Sequence, residues 1–161
     1  MYRRILLAYD GSRDGRNALR EGALMAKWCG ADIYLLSVVA ETPGVRMSEG
    51  AYAGAIASNE ASYRAICEEG VQHLKRLGLA VKGKLVWGEP AREISAYARE
   101  IGADLVVVGH RRQNFFARWW SGSTGATLTD QVDCSILISH NVIADEDFQR
   151  EFHAGETAAS S

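Results

Sequence analysis

The sequence is short of the patterns from which a function is usually read. It has three cysteines in 161 residues, Cys29, Cys67 and Cys134. They are odd in number, far apart and never in C-x-x-C spacing. That argues against a zinc ribbon or a dithiol redox motif and leaves buried, reduced thiols as the expectation. No apolar run approaches the ~20 residues of a membrane helix. The run that follows Met1-Tyr2-Arg3-Arg4 stops at Asp10, too short for the core of a secretory signal. A soluble, cytoplasmic protein without a membrane partner is expected. No charge of one sign dominates, since 18 Lys and Arg face 20 Asp and Glu for a net −2. A nucleic-acid partner is therefore not expected either. The chain contains no G-x-x-x-x-G-K-[ST] and no G-x-G-x-x-G after its first strand, which argues against P-loop and dinucleotide sites. It has no G-x-S-x-G elbow, and no second carboxylate stands beside Asp10 to activate water. Binding is expected rather than efficient catalysis. No repeat of 20–50 residues is present.

What the chain does have is a regular alternation. Ile5–Tyr9 is a short apolar run that ends in Asp10-Gly11-Ser12, a strand followed by a turn. Ser12 or Asp14 caps a helix whose apolar positions include Ala18, Leu19, Gly22, Leu24, Met25 and Trp28, with Gly30 at its end. Ile33–Val39 is nearly all apolar, as in a parallel strand covered on both faces. Residues 41–59, rich in Gly, Ala and Ser, read as a mobile connection, and a helix follows over 60–77. Val81–Trp87 is a third strand. Gly88-Glu89-Pro90 turns into a helix with Pro90 in its first turn, and Gly102 stops it. Leu105–Val108 is the fourth strand, ending at Gly109. A loop over 110–121 leads to a helical stretch over 123–132, and Ile136–Ile138 centre a fifth strand. The tail from Ala144 is polar and expected to be flexible. This gives one α/β domain over 1–143, an open parallel five-stranded sheet with helices on both faces, and a tail over 144–161.

In such sheets ligands bind beyond the carboxyl ends of strands. Three segments fall there: Asp10-Gly11-Ser12, Val38-Val39, and Gly109 through Thr124. Gly109 allows close approach of a backbone. Arg111 and Arg112 supply positive charge beside it. Gly122-Ser123-Thr124 opens a helix whose free N–H groups and dipole suit a phosphate, although Gly-Ser-Thr is also ordinary capping chemistry. Asp10 either contacts a ribose or adenine amino group, coordinates a divalent ion such as Mg2+ near phosphates, or is an Asx-turn residue. The run Phe115-Phe116-Ala117-Arg118-Trp119-Trp120 is much apolar surface for a loop. It packs on its own domain or docks a protein partner.

Together these residues resemble the universal stress protein family over about 1–140. Arg4-Ile5-Leu6-Leu7-Ala8-Tyr9-Asp10-Gly11-Ser12 is similar to that family's first strand and turn. Gly88-Glu89-Pro90, Ile94 and Ala103-Asp104-Leu105-Val106-Val107-Val108-Gly109 are similar to its third helix and fourth strand. The resemblance implies strand order 3-2-1-4-5, the adenine nucleotide alpha hydrolase-like architecture, and a homodimer paired through Ser135–Ser139. It also implies ATP or another adenine nucleotide as ligand, with or without Mg2+. Nucleotide-binding members carry Gly-x2-Gly-x9-Gly-[Ser/Thr] after strand four. Here Gly109, Gly122 and Ser123 match, and Arg112 replaces the second glycine. By position, Ala8, Tyr9 and Asp10 would border base and ribose and Val38 the adenine. Gly109, Arg111, Arg112, Gly122, Ser123 and Thr124 would surround the phosphates. If Arg112 closes the pocket, the alternative is a motif-degenerate domain that works as a dimeric interaction module.

Overall fold

The computed structural model describes residues 1–40, 53–110 and 128–154. Five strands form one all-parallel sheet: β1 (Arg4–Ala8), β2 (Asp32–Ala40), β3 (Val81–Gly88), β4 (Leu105–Gly109) and β5 (Ser135–Ser139). Their order is β3-β2-β1-β4-β5. The helices are α1 (Arg13–Cys29), α2 (Ala53–Arg76), α3 (Pro90–Ile101), the short α4 (Leu128–Gln131) and α5 (Asp145–His153).

Strand β1 is central because its side chains are apolar on both faces. Ile5, Leu6 and Leu7 are 0–1% exposed, each worth ~1.5–3 kcal/mol of burial. Alternation divides them. Ile5, Leu7 and Tyr9 join Ile33 and Leu35 in a core with residues of α1, α2 and α5. Leu6 and Ala8 join Leu36, Val106 and Val108 in a second core under α3 and α4.

Helix boundaries follow the local chemistry. Ser12 caps α1 by accepting from the Gly15 N–H, and Gly30 ends it in the left-handed region. The Glu89 carboxylate accepts from the Ala91 and Arg92 N–H groups at the start of α3, a cap that complements the helix dipole.

Three readings of the sequence need correction. The helix α2 starts at Ala53, not at residue 60; Ala53, Ala55 and Ala57 are strong helix formers and extend it. Residues 41–52 of the expected connection lie outside the described residues. Trp28, placed on the buried stripe of α1, is 63% exposed. The tail is not wholly loose, because residues 145–153 form α5, with Phe148 and Phe152 each 2% exposed in the core. An i, i+4 phenylalanine pair defines one apolar face, and three acids in the first turn suit the dipole. Arg20 of α1 donates to the Ile143 carbonyl at 2.7 Å and pairs with Asp145. Lys27 lies 4.3 Å from the centre of the Phe152 ring.

Candidate nucleotide site

Strand order reverses between β1 and β4, and their carboxyl ends meet the first turn of α1. The register links these ends. Ala8 is level with Leu36 and Leu7 with Val107, so Asp10 emerges level with Val38 on one side and His110 on the other.

Asp10 is held by its own turn. Its Oδ1 accepts from the Ser12 N–H at 2.9 Å and from the Ser12 hydroxyl at 2.6 Å. The same hydroxyl oxygen accepts from the Gly15 N–H at 3.0 Å. The Asx-turn alternative is thus realised, and the carboxylate anchors the N-terminus of α1. Space for it exists because residue 15 is glycine, since a Cβ there would lie 2.5 Å from Asp10 Oδ1. Gly11 has φ +73°, and a Cβ there would lie 2.9 Å from Ile66 of α2.

Gly109 answers to packing as well. A Cβ on it would stand 2.6 Å from the Asp14 carbonyl oxygen and 3.0 Å from the Gly15 nitrogen. These are backbone atoms, so no side-chain rotation relieves the clash. The sequence reading assigned this glycine to close approach of a ligand; the structure shows close approach of α1.

Ala8 and Tyr9 bring main chain, not side chains, to the sheet edge. Ala8 is 9% and Tyr9 4% exposed. The Tyr9 ring packs under α2 beside Gly70. Its nitrogen donates to the Leu36 carbonyl at 2.9 Å, and its carbonyl accepts from the buried Ser37 hydroxyl at 2.8 Å. Burial pushes the Tyr9 phenol up, opposed by a hydrogen bond from Arg16, and Arg16 in turn sits 3.5 Å from Glu69. Val38 is partly buried against the second core. The roles of Ser37, Gly15 and Ile66 at this edge were missed. Gly15, three residues after Ser12, carried the best available signal, a glycine in a helix's first turn.

Arg111, Arg112, Gly122, Ser123, Thr124 and the aromatic run 115–120 lie outside the described residues. Among the described residues no three His, Cys, Asp or Glu side chains come together to hold a metal ion.

The strand order accords with comparisons to known proteins. The sequence model described as the universal stress protein family matches residues 1–140. The chain belongs to the universal stress protein family. A curated universal stress protein of Methanocaldococcus jannaschii is 27% identical over 146 residues, spanning 86% of this chain and 82% of that one. Among solved structures, a universal stress family protein from Burkholderia pseudomallei superposes with a TM-score of 0.64 at 27% identity, covering 85% of this chain and 95% of its own. A universal stress protein solved in complex with cAMP gives a TM-score of 0.62 at 22% identity, covering 86% and 97%. At that identity the likeness establishes the shared fold alone. No described helix is long and apolar enough to cross a membrane.

Proposed function

We propose that this universal stress protein binds an adenine nucleotide, ATP or a relative, at the carboxyl ends of β1 and β4. In this reading it serves as a cytoplasmic stress-response or signalling module rather than an efficient enzyme. The observation that supports this most is the meeting of the Asp10 turn with Gly109 where strand order reverses, the usual ligand position in open α/β sheets. Main chain at Ala8 and Tyr9, together with Asp10, would border base and ribose, and Val38 the adenine. Gly109, Arg111, Arg112, Gly122, Ser123 and Thr124 would surround the phosphates. The cAMP complex of a protein with the same fold supports the choice of an adenine nucleotide. A Mg2+ ion would find one carboxylate here, Asp10, and would arrive with the phosphates.

A second reading has its own support. Gly109 and Asp10 already have structural occupations, and Arg112 stands where nucleotide-binding relatives have glycine. A domain that no longer takes ATP would work through its surfaces, with the 115–120 aromatics docking a protein. In either reading β5 is the proposed dimer edge. Ile136, Leu137 and Ile138 lie partly exposed on a terminal strand with no charge to deter pairing.

Calorimetry with ATP separates the readings. Binding that falls at least about tenfold in Gly122→Val, with the fold intact, supports the nucleotide site. Arg112→Gly then reports on the arginine: weaker binding means that it reaches the phosphates, stronger binding that it obstructs them. Absence of binding in the natural chain and in Arg112→Gly alike would favour the interaction module. For the dimer, sedimentation of Ile136→Lys should give a monomer, and a persisting dimer would exclude pairing through this edge.

A further inference from the structure

Helix α5 lies beyond the part of the chain that the family model matches, which ends at residue 140. It is reached through a connection over 140–144 that holds no strand or helix. Its nine residues are short for a helix that must stand on its own. Its ends are also weakly closed. Ala144 at the N-cap makes no side-chain hydrogen bond, and Ala154 at the C-cap stays right-handed. The helix therefore persists through what it rests on. Phe148 and Phe152 lie in the core, Arg20 of α1 holds both the Ile143 carbonyl and Asp145, and Lys27 of α1 donates to the Phe152 carbonyl.

His73 of α2 lies beside this joint, partly buried. Charges from three helices act on it: Arg76 and Glu69 of α2, Arg20 of α1 and Asp145 of α5. Burial acts most strongly, then Arg76 and Arg20, and together they hold its pKa below 6.5 against the weaker pull of Glu69 and Asp145.

We propose that α5 is an acid-released latch, docked on α1 while His73 is neutral and freed when His73 takes a proton. Release removes Asp145 from the histidine, but it also frees Arg20 from its two anchors and admits water beside the ring. Burial and arginine outweigh the carboxylate, so the released chain is the one that charges more readily. Below 6.5 it binds a proton that the docked chain does not, until pH reaches the depressed docked value. Across that window opening gains by up to about tenfold per pH unit for one proton; above it the latch is insensitive to pH. His153 acts in the opposite sense, because a positive charge in the last turn of α5 suits the helix dipole. His140, at the start of the connection and stacked on His110 with ring centroids 3.9 Å apart, is the rival sensor.

Amide hydrogen exchange on the full chain, at about pH 7.5 and about pH 5.5 and corrected for intrinsic rates, reads the opening of α5. Protection over Phe148–Phe152 should fall at least about threefold at the lower pH, while α3 keeps its own. His73→Gln should abolish the fall, and His140→Gln should leave it in place. His73→Phe, which keeps a ring in the same space, gives the same comparison if His73→Gln fails to fold. Equal α5 protection at the two pH values, a fall shared equally by α3, a fall that survives the loss of His73, or one that vanishes in His140→Gln would overturn the proposal.

Discussion

At the amino end of the sheet, Gly30 closes α1 with φ +62°, and a methyl group added there would meet nothing within 4 Å. At the carboxyl end, a methyl group on Gly109 would stand 2.6 Å from the backbone of α1. One glycine is required by the conformation of its own residue, the other by a neighbour far away in sequence. The polar closures differ in the same way. At the amino end the Asp104 carboxylate accepts from the Arg3 and Arg4 N–H groups at 2.8 and 3.1 Å, which ties the start of β1 to the start of β4. At the carboxyl end Asp10 turns onto its own loop and the cap of α1. The amino end is stitched strand to strand. The carboxyl end leaves the strand tips for the connections to wrap, and the backbone comes closest there. That is the edge at which the proposed nucleotide would meet the main chain of Ala8 and Tyr9.

The sharpest way to break this comparison is to fill both glycines. Gly109→Val forces β4 from α1 and should cost ~3 kcal/mol in urea unfolding. A change below ~0.5 kcal/mol would show that the first turn of α1 yields easily. Gly30→Ala should cost less, ~1–2 kcal/mol, all of it from the left-handed backbone. An equal or larger loss there would mean that conformation, not packing, governs both ends. Ser12→Ala removes the hydroxyl that joins Asp10 to Gly15 and should cost ~1 kcal/mol. Asp104→Asn, as the amino-end counterpart, keeps one acceptor oxygen and should cost less than that.

The smallest effect lies between the two ends, on α2. Burial, then the nearby Arg76 and Arg20, pull the His73 pKa below its ordinary value of 6.5. Below 6.5 the unfolded chain binds this proton and the folded chain does not, so the histidine's contribution falls as pH drops from 6.5 toward the depressed folded value. His73→Gln should flatten the stability–pH curve in that window. A curve of unchanged slope would assign the acid sensitivity elsewhere.

The sheet was legible because β1, β2, β4 and β5 are short apolar runs, because β3 alternates and closes on Gly88, and because Gly30 and Gly102 stop their helices where the pattern says. Strand order came through the family resemblance rather than through the runs themselves. The tail was misread since its composition is polar, while Phe148 and Phe152 carry the information in a spacing of four. Trp28 was misread in the opposite sense, an apolar residue on a helix face that the described residues leave exposed. At the site, Asp10 and Gly109 were legible as positions. The Asx turn of Asp10 was among the alternatives read; the packing of Gly109 was not, because the contacts of Gly109 with Asp14 and of Gly11 with Ile66 join segments distant in sequence. No periodicity encodes such contacts.

The most direct test of nucleotide binding is to denature freshly purified chain and assay the supernatant by ion-pair chromatography with mass detection. The expected result is an adenine nucleotide near one per chain, which would mean that the crowded carboxyl edge takes a ligand in spite of Arg112. An empty supernatant, together with no heat on titration with ATP, would contradict it and leave Asp10 and Gly109 as structural residues alone.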